Sequence, residues 1–165
     1  MKRVLLTLIL VFIIPAHAED TNNEKFTVFT PFIGTWKAEF ADGTHDVSHI
    51  DWILGGKAIR IMHSINEGDY GGEALVHWNT DKQVISYRYV TTASFYTEGK
   101  IMPNEDGFDA HETVFGNMGG ITETRAGYTI NGDEFHVWSQ FLKNGEWTEK
   151  TQATYTRAPD AEVKF

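Results

Sequence analysis

Ile59-Arg60-Ile61-Met62-His63-Ser64-Ile65-Asn66-Glu67-Gly68-Asp69 is the stretch that decides the fold class. Side chains of an extended segment alternate between two faces. Ile59, Ile61, His63 and Ile65 therefore share one face, and Arg60, Ser64 and Asn66 share the other. Glu67-Gly68-Asp69 then supplies turn chemistry, glycine accepting the positive φ that tight hairpins require. The same unit follows at once. Ala74, Val76 and Trp78 alternate with Glu73 and His77, the turn Asn79-Thr80-Asp81-Lys82 intervenes, and Ile85, Tyr87 and Tyr89 alternate with Ser86 and Arg88.

Working outward, the same punctuation recurs at Asp42-Gly43, Gly55-Gly56, Asn104-Glu105-Asp106-Gly107, Gly119-Gly120, Asn131-Gly132-Asp133 and Asn144-Gly145. Short strands at this regular spacing are the signature of an antiparallel all-β domain. The predicted strands are 33–41, 44–54, 58–66, 71–78, 83–91, 95–102, 108–115, 121–130, 134–142 and 147–157. The architecture expected is a single up-and-down β-barrel of about ten strands over residues 27–158, with a tail at 159–165. Strand 108–115 groups Phe108, Ala110, Glu112 and Val114 on its apolar face. On strand 134–142 the two faces compete, Phe135, Val137 and Phe141 against Trp138 and Leu142. Segment 44–54 reads as helix nearly as well as strand, and β-favouring residues tip it to strand. The apolar stretch Phe26–Phe32 suggests a short helical turn plugging a barrel mouth.

The first 18 residues read as a secretory signal peptide: Lys2 and Arg3, an apolar run from Val4 to Ile14, Pro15, then Ala16-His17-Ala18 as a small-x-small cleavage site. The run is shorter than the about 20 residues a spanning helix needs. The expectation is a periplasmic or secreted protein with no membrane insertion after cleavage, beginning with a polar leader at 19–26. Cleavage would leave 147 residues, enough for one domain with a sizeable core. There is no cysteine, so neither disulfides nor a lipid-bearing cysteine enter the account. The mature segment carries 12 basic and 23 acidic residues, a net charge of −11 with histidine neutral. That balance argues against a nucleic-acid partner. A small molecule is the expected partner, with a homodimer left open.

Gly34-Thr35-Trp36 on the first strand and Tyr155-Thr156-Arg157 on the last resemble the lipocalin-like, or calycin, signature. In such barrels the Trp closes one end and the Arg packs across it. The resemblance implies structural roles for Gly34, Trp36 and Arg157. With Pro31-Phe32-Ile33, Trp52-x-Leu54-Gly55-Gly56 and Gly145-x-Trp147, the chain looks like the uncharacterised bacterial lipocalin-like barrels of exported proteins. There is a more distant similarity to nitrobindin-like barrels, which bind haem through a histidine near the C-terminus. The last strand here carries no histidine, so His136, one strand earlier, is the residue available to a haem. Haem is the lesser alternative, and no other cofactor is expected.

Candidate chemistry lies on the inward faces. Trp36, His63, Tyr87, Tyr89, Glu112 and Trp138 are the expected lining of a ligand site. His63 and Glu112 both fall among apolar neighbours, where an unpaired charge is costly. If both point inward, they need each other, an arginine or a ligand; the readings are an acid–base couple, a structural hydrogen-bonded pair, or one of the two facing outward. No metal site is expected: His45 and His49 on a strand lie about 13 Å apart, too far to share one ion. Arg60, Arg88 and Arg125 are read as outward-facing. Three readings of function follow: a binder of a small, partly hydrophobic ligand, an isomerase, cyclase or hydrolase using His63 and Glu112, and a filled barrel serving as an interaction module.

Overall fold

A computed structural model describes residues 22–165, and the expected signal peptide lies outside the described residues. The strands are β1 (Gly34–Glu39), β2 (His45–Ile53), β3 (Ala58–Ile65), β4 (Tyr70–Asn79), β5 (Val84–Thr91), β6 (Phe95–Pro103), β7 (Gly107–Gly116), β8 (Ile121–Asn131), β9 (Glu134–Lys143), β10 (Glu146–Trp147) and β11 (Thr151–Arg157). Each of β1 to β8 pairs antiparallel with the next, β8 pairs with β9, and β11 lies between β9 and β1. β10 pairs with the same strand as β11, so the two fill one place in the ring. Among the described residues the result is a closed, antiparallel, up-and-down barrel with ten strand positions. Segment 44–54 is strand: it is hydrogen-bonded on both sides, to β1 and β3, which outweighs its helix-like capping residues.

One end is closed by aromatic packing. A four-residue helix, Asn22–Lys25, leads into a 3₁₀ turn, Thr27–Phe32. Phe26, Phe29, Phe32 and Trp36 have no solvent exposure. Phe29 and Phe32 meet Phe108 with centroids 4.8 and 5.1 Å apart, and Trp36 meets Phe135 edge-on at 5.5 Å. Phe26 is therefore part of the core and not of a polar leader.

Arg157 clamps this end. Its guanidinium lies 3.8 Å over the Trp36 ring and donates to the carbonyls of Ile33 (2.5 Å) and Pro31 (2.7 Å). Pro31 lies in the last turn of the 3₁₀ segment and Ile33 is its C-cap, where backbone acceptors lack helical partners. The Trp36 indole N–H donates to the Phe32 carbonyl at 2.7 Å. Gly34 completes the clamp. Its φ is +126°, and a Cβ there would stand 2.6 Å from the Arg157 Nη1. At the C-terminus, the Lys164 N–H bonds the Ser64 hydroxyl on the outer face of β3.

Candidate functional site

The barrel is hollow in the half opposite the plug. The cavity measures about 460 Å³, with Phe108 and Phe135 toward the plug and Tyr70, Phe95, Met118 and Phe141 toward the other end. Small inward residues make the space. Ala74, Ala110 and Ala126 line it, and Gly99 separates Tyr87 from Glu112 in the cross-strand register. On β9 the inward set is Phe135, Val137, Ser139 and Phe141, which settles the competition between its faces.

A chain of polar side chains runs along one wall. The His63 Nδ1 lies 3.2 Å from both Asp46 carboxylate oxygens. Its Nε2 lies 2.5 Å from the Tyr89 hydroxyl, and Tyr89 and Tyr70 hydroxyls are 3.0 Å apart. Tyr155 donates to the second Asp46 oxygen at 2.9 Å. Five residues from five different strands thus form one hydrogen-bonded chain: Tyr70, Tyr89, His63, Asp46 and Tyr155.

The register explains why Tyr89 reaches His63. His63 on β3 faces Gly72 on β4, and the Tyr89 ring from β5 lies over that glycine. A Cβ at position 72 would stand 2.5 Å from the ring. The missing side chain lets a β5 phenol cross β4 and touch a β3 imidazole. Burial raises the Tyr89 and Tyr70 phenols above their ordinary value, and burial together with the Asp46 charge raises Tyr155. All three stay neutral and act as hydrogen-bonding hydroxyls.

The chain allows two proton placements. With neutral His63, Nδ1–H donates to Asp46, and Nε2 accepts when the Tyr89 O–H turns to it from Tyr70, to which that hydroxyl otherwise donates. With His63 protonated, both ring N–H groups donate and Tyr89 donates on to Tyr70. The two placements differ by one proton on His63 and leave the heavy atoms where they are.

Glu112 forms a separate pole of the cavity. It is 7% exposed and accepts a hydrogen bond from the Thr97 hydroxyl. Burial raises its carboxyl above the usual range, against the lowering effect of hydrogen bonds from Thr97 and Thr124.

Several expectations require correction against this geometry. His63 and Glu112 both line the cavity but are not bonded to one another: His63 is taken by Asp46 and Tyr89, Glu112 by Thr97. Trp36 is sealed into the plug and does not line the cavity, because Arg157 and Phe135 cover it. Trp138 faces outward, pairing in register with Gly127, with the Lys150 ammonium 3.8 Å over its ring. His136 also faces outward, bonded to Thr154 and 3.4 Å from Glu134, so it cannot ligate a group held in the cavity. Tyr87, Tyr89, His63 and Glu112 do line it.

The other histidines have local partners or none. His49 bonds Thr35, and His111 bonds Glu123. Among the described residues no group of three or more His, Asp or Glu converges. Arg60 and Arg88 face outward, Arg60 forking onto Asp51 and Arg88 lying 3.5 Å from Glu98, whereas Arg125, stacked on Trp147 and bonded to Gln140, borders the cavity.

Asp46, Tyr70 and Tyr155 escaped the sequence reading. The signal for Asp46 was present: Asp46, Ser48 and Ile50 share one parity, so two polar residues sit on the face of a buried isoleucine. That parity carries meaning only once the segment is known to be strand.

No family model and no curated protein matches the chain. Among solved structures, the crystal structure of Rv2717c from M. tuberculosis is similar, with a TM-score of 0.60 and 11% sequence identity. The match covers 81% of this chain and 97% of that one. At this identity the likeness is one of fold: a barrel of the same kind.

Proposed function

We propose that the protein is a lipocalin-like carrier or receptor that holds a small, mainly apolar molecule inside its barrel. The observation that carries this reading is a cavity of about 460 Å³ whose aliphatic and aromatic walls converge on one polar chain. Small-molecule sites have this composition, apolar surroundings with a few well-placed polar groups, in about 300–1,000 Å³. The ligand offers at least one hydrogen-bonding oxygen or nitrogen to Tyr70, Tyr89 or Glu112 and buries the rest against the walls. The protein works outside the cytoplasm, in keeping with the signal-peptide pattern of residues 1–18.

Native mass spectrometry of the protein purified from its exporting host tests all three parts. The expected result is the mass of residues 19–165 plus a small adduct that is absent after denaturation. The same spectrum reads whether the barrel is a monomer or a homodimer. A barrel that carries no adduct, and takes up nothing from a panel of apolar ketones, phenols and fatty acids at high concentration, overturns the carrier reading. It would leave the filled-barrel interaction module in its place.

A further inference from the structure

We propose that the cavity is an acid–base centre for carbonyl compounds, in which Tyr89, backed by His63 and Asp46, exchanges a proton with a carbon next to the carbonyl while Glu112 serves the carbonyl oxygen. This deepens the binding reading and rests on it, since it names the ligand class and what happens to it.

All five members of the polar chain line the cavity, and Tyr89 is the one whose hydroxyl is bonded, at 2.5 Å, to the imidazole. That imidazole is held from behind by Asp46, which also accepts from Tyr155. An aspartate behind a histidine fixes its tautomer and stabilises the imidazolium when a proton arrives, which is how acid–base pairs are built. A purely structural filler of an apolar wall would not need five strands to deliver one continuous chain. Glu112 faces the same space from β7, its carboxyl held in place by the Thr97 and Thr124 hydroxyls. Burial keeps that carboxyl above the ordinary range and so favours the form that donates a proton. Burial likewise opposes a lasting phenolate at Tyr89, so the phenol passes a proton on to His63 and does not store the charge.

The step balances without any further reagent. The C–H bond beside the carbonyl breaks, and its proton goes to the Tyr89 oxygen as the Tyr89 proton moves to His63 Nε2. The C–H electron pair becomes the C=C bond of an enol. The carbonyl π pair moves onto oxygen, which takes the Glu112 proton. Reversal at the same carbon returns a proton to the same face, and once the Tyr89 proton has been traded with solvent the carbon has exchanged its hydrogen. Reversal at a conjugated carbon moves a double bond. Either way His63 and Glu112 return to their starting states.

The test uses β-tetralone, an apolar ketone with exchangeable hydrogens beside its carbonyl, with the full mature protein in D₂O. Saturation-transfer NMR reads binding, and loss of the ketone's C–H signals reads exchange. The expected result is binding with exchange well above the protein-free rate. Tyr89→Phe and His63→Gln should still bind the ketone but lose about 100-fold or more of the exchange rate, the usual worth of a positioned acid or base. Tyr89→Phe removes one oxygen and keeps the ring over Gly72, so it carries the test even where His63→Gln perturbs folding. Binding with exchange only at the protein-free rate overturns the acid–base proposal and leaves the carrier reading standing. So does a folded, binding Tyr89→Phe variant that exchanges as fast as the parent. Absence of binding by the ketone overturns the proposal at its base.

Discussion

Replacing Ala126 by leucine adds three carbons to the barrel interior, and the sign of the result decides whether that interior is hollow. Ala126 is 6% exposed, lines the cavity, and is flanked in register by Ala110 on β7 and Ser139 on β9. Both neighbours are small, so the longer side chain extends into space that no protein atom occupies. At about 0.8 kcal/mol for each buried carbon, three are worth about 2.4 kcal/mol. Ordering the leucine takes back about 0.5–1 kcal/mol. The net expected is a stabilisation of about 1.5 kcal/mol, or roughly 5 °C in Tm for a domain of this length. In a filled core the same insertion would cost about 1–3 kcal/mol through strained rotamers and backbone shifts. Urea unfolding followed by circular dichroism measures the difference. The variant should also bind apolar ketones more weakly than the parent. A destabilisation of about 1 kcal/mol or more, with an unchanged urea dependence, would refute the hollow interior and the cavity argument with it.

Two further outcomes follow from the plug and from the buried carboxyl. Arg157→Lys keeps the charge but loses the planar stack on Trp36 and one of two carbonyl bonds, at a cost of about 1–2 kcal/mol for a partly solvated site. A thermal melt indistinguishable from the parent's would show that the clamp is not held by the guanidinium's shape. Glu112 has its folded-state value raised by burial, so its contribution to stability is intact at acid pH and is lost as pH rises through that value. Glu112→Gln should therefore gain stability relative to the parent as pH rises above the ordinary carboxylate range, and a difference that does not change with pH would contradict the assignment.

The strands were legible because alternation and turn residues agree along the whole chain. Ile59, Ile61 and His63 face inward as their parity requires, and so do Tyr87 and Tyr89. The plug was legible in the crowding of Phe26, Phe29 and Phe32 ahead of Trp36. What parity cannot give is reach across strands. His63 and Glu112 were each correctly turned inward, yet their partners lie on other strands at positions that only the register defines. Tyr89 meets His63 because Gly72 stands between them, and a lone glycine in a strand does not announce which ring will lie over it. Trp36 and Trp138 were drawn toward the cavity by their size. Burial depth and facing decided otherwise, Trp36 sinking into the plug and Trp138 standing on the outside over Gly127.

The order of the strands bears on how the chain finds this shape. Every pairing from β1 through β9 joins neighbours in sequence, and each can zip from a local hairpin. The seam between β1 and β11 is different: it brings Trp36 opposite Arg157, from nearly opposite ends of the described chain. Such a pairing carries the largest loop-closure entropy and forms late unless the intervening meander has already curled round. Arg157, reaching across that seam to Trp36 and to the carbonyls of Pro31 and Ile33, then acts as the latch of the folding reaction as well as the cap of the finished barrel.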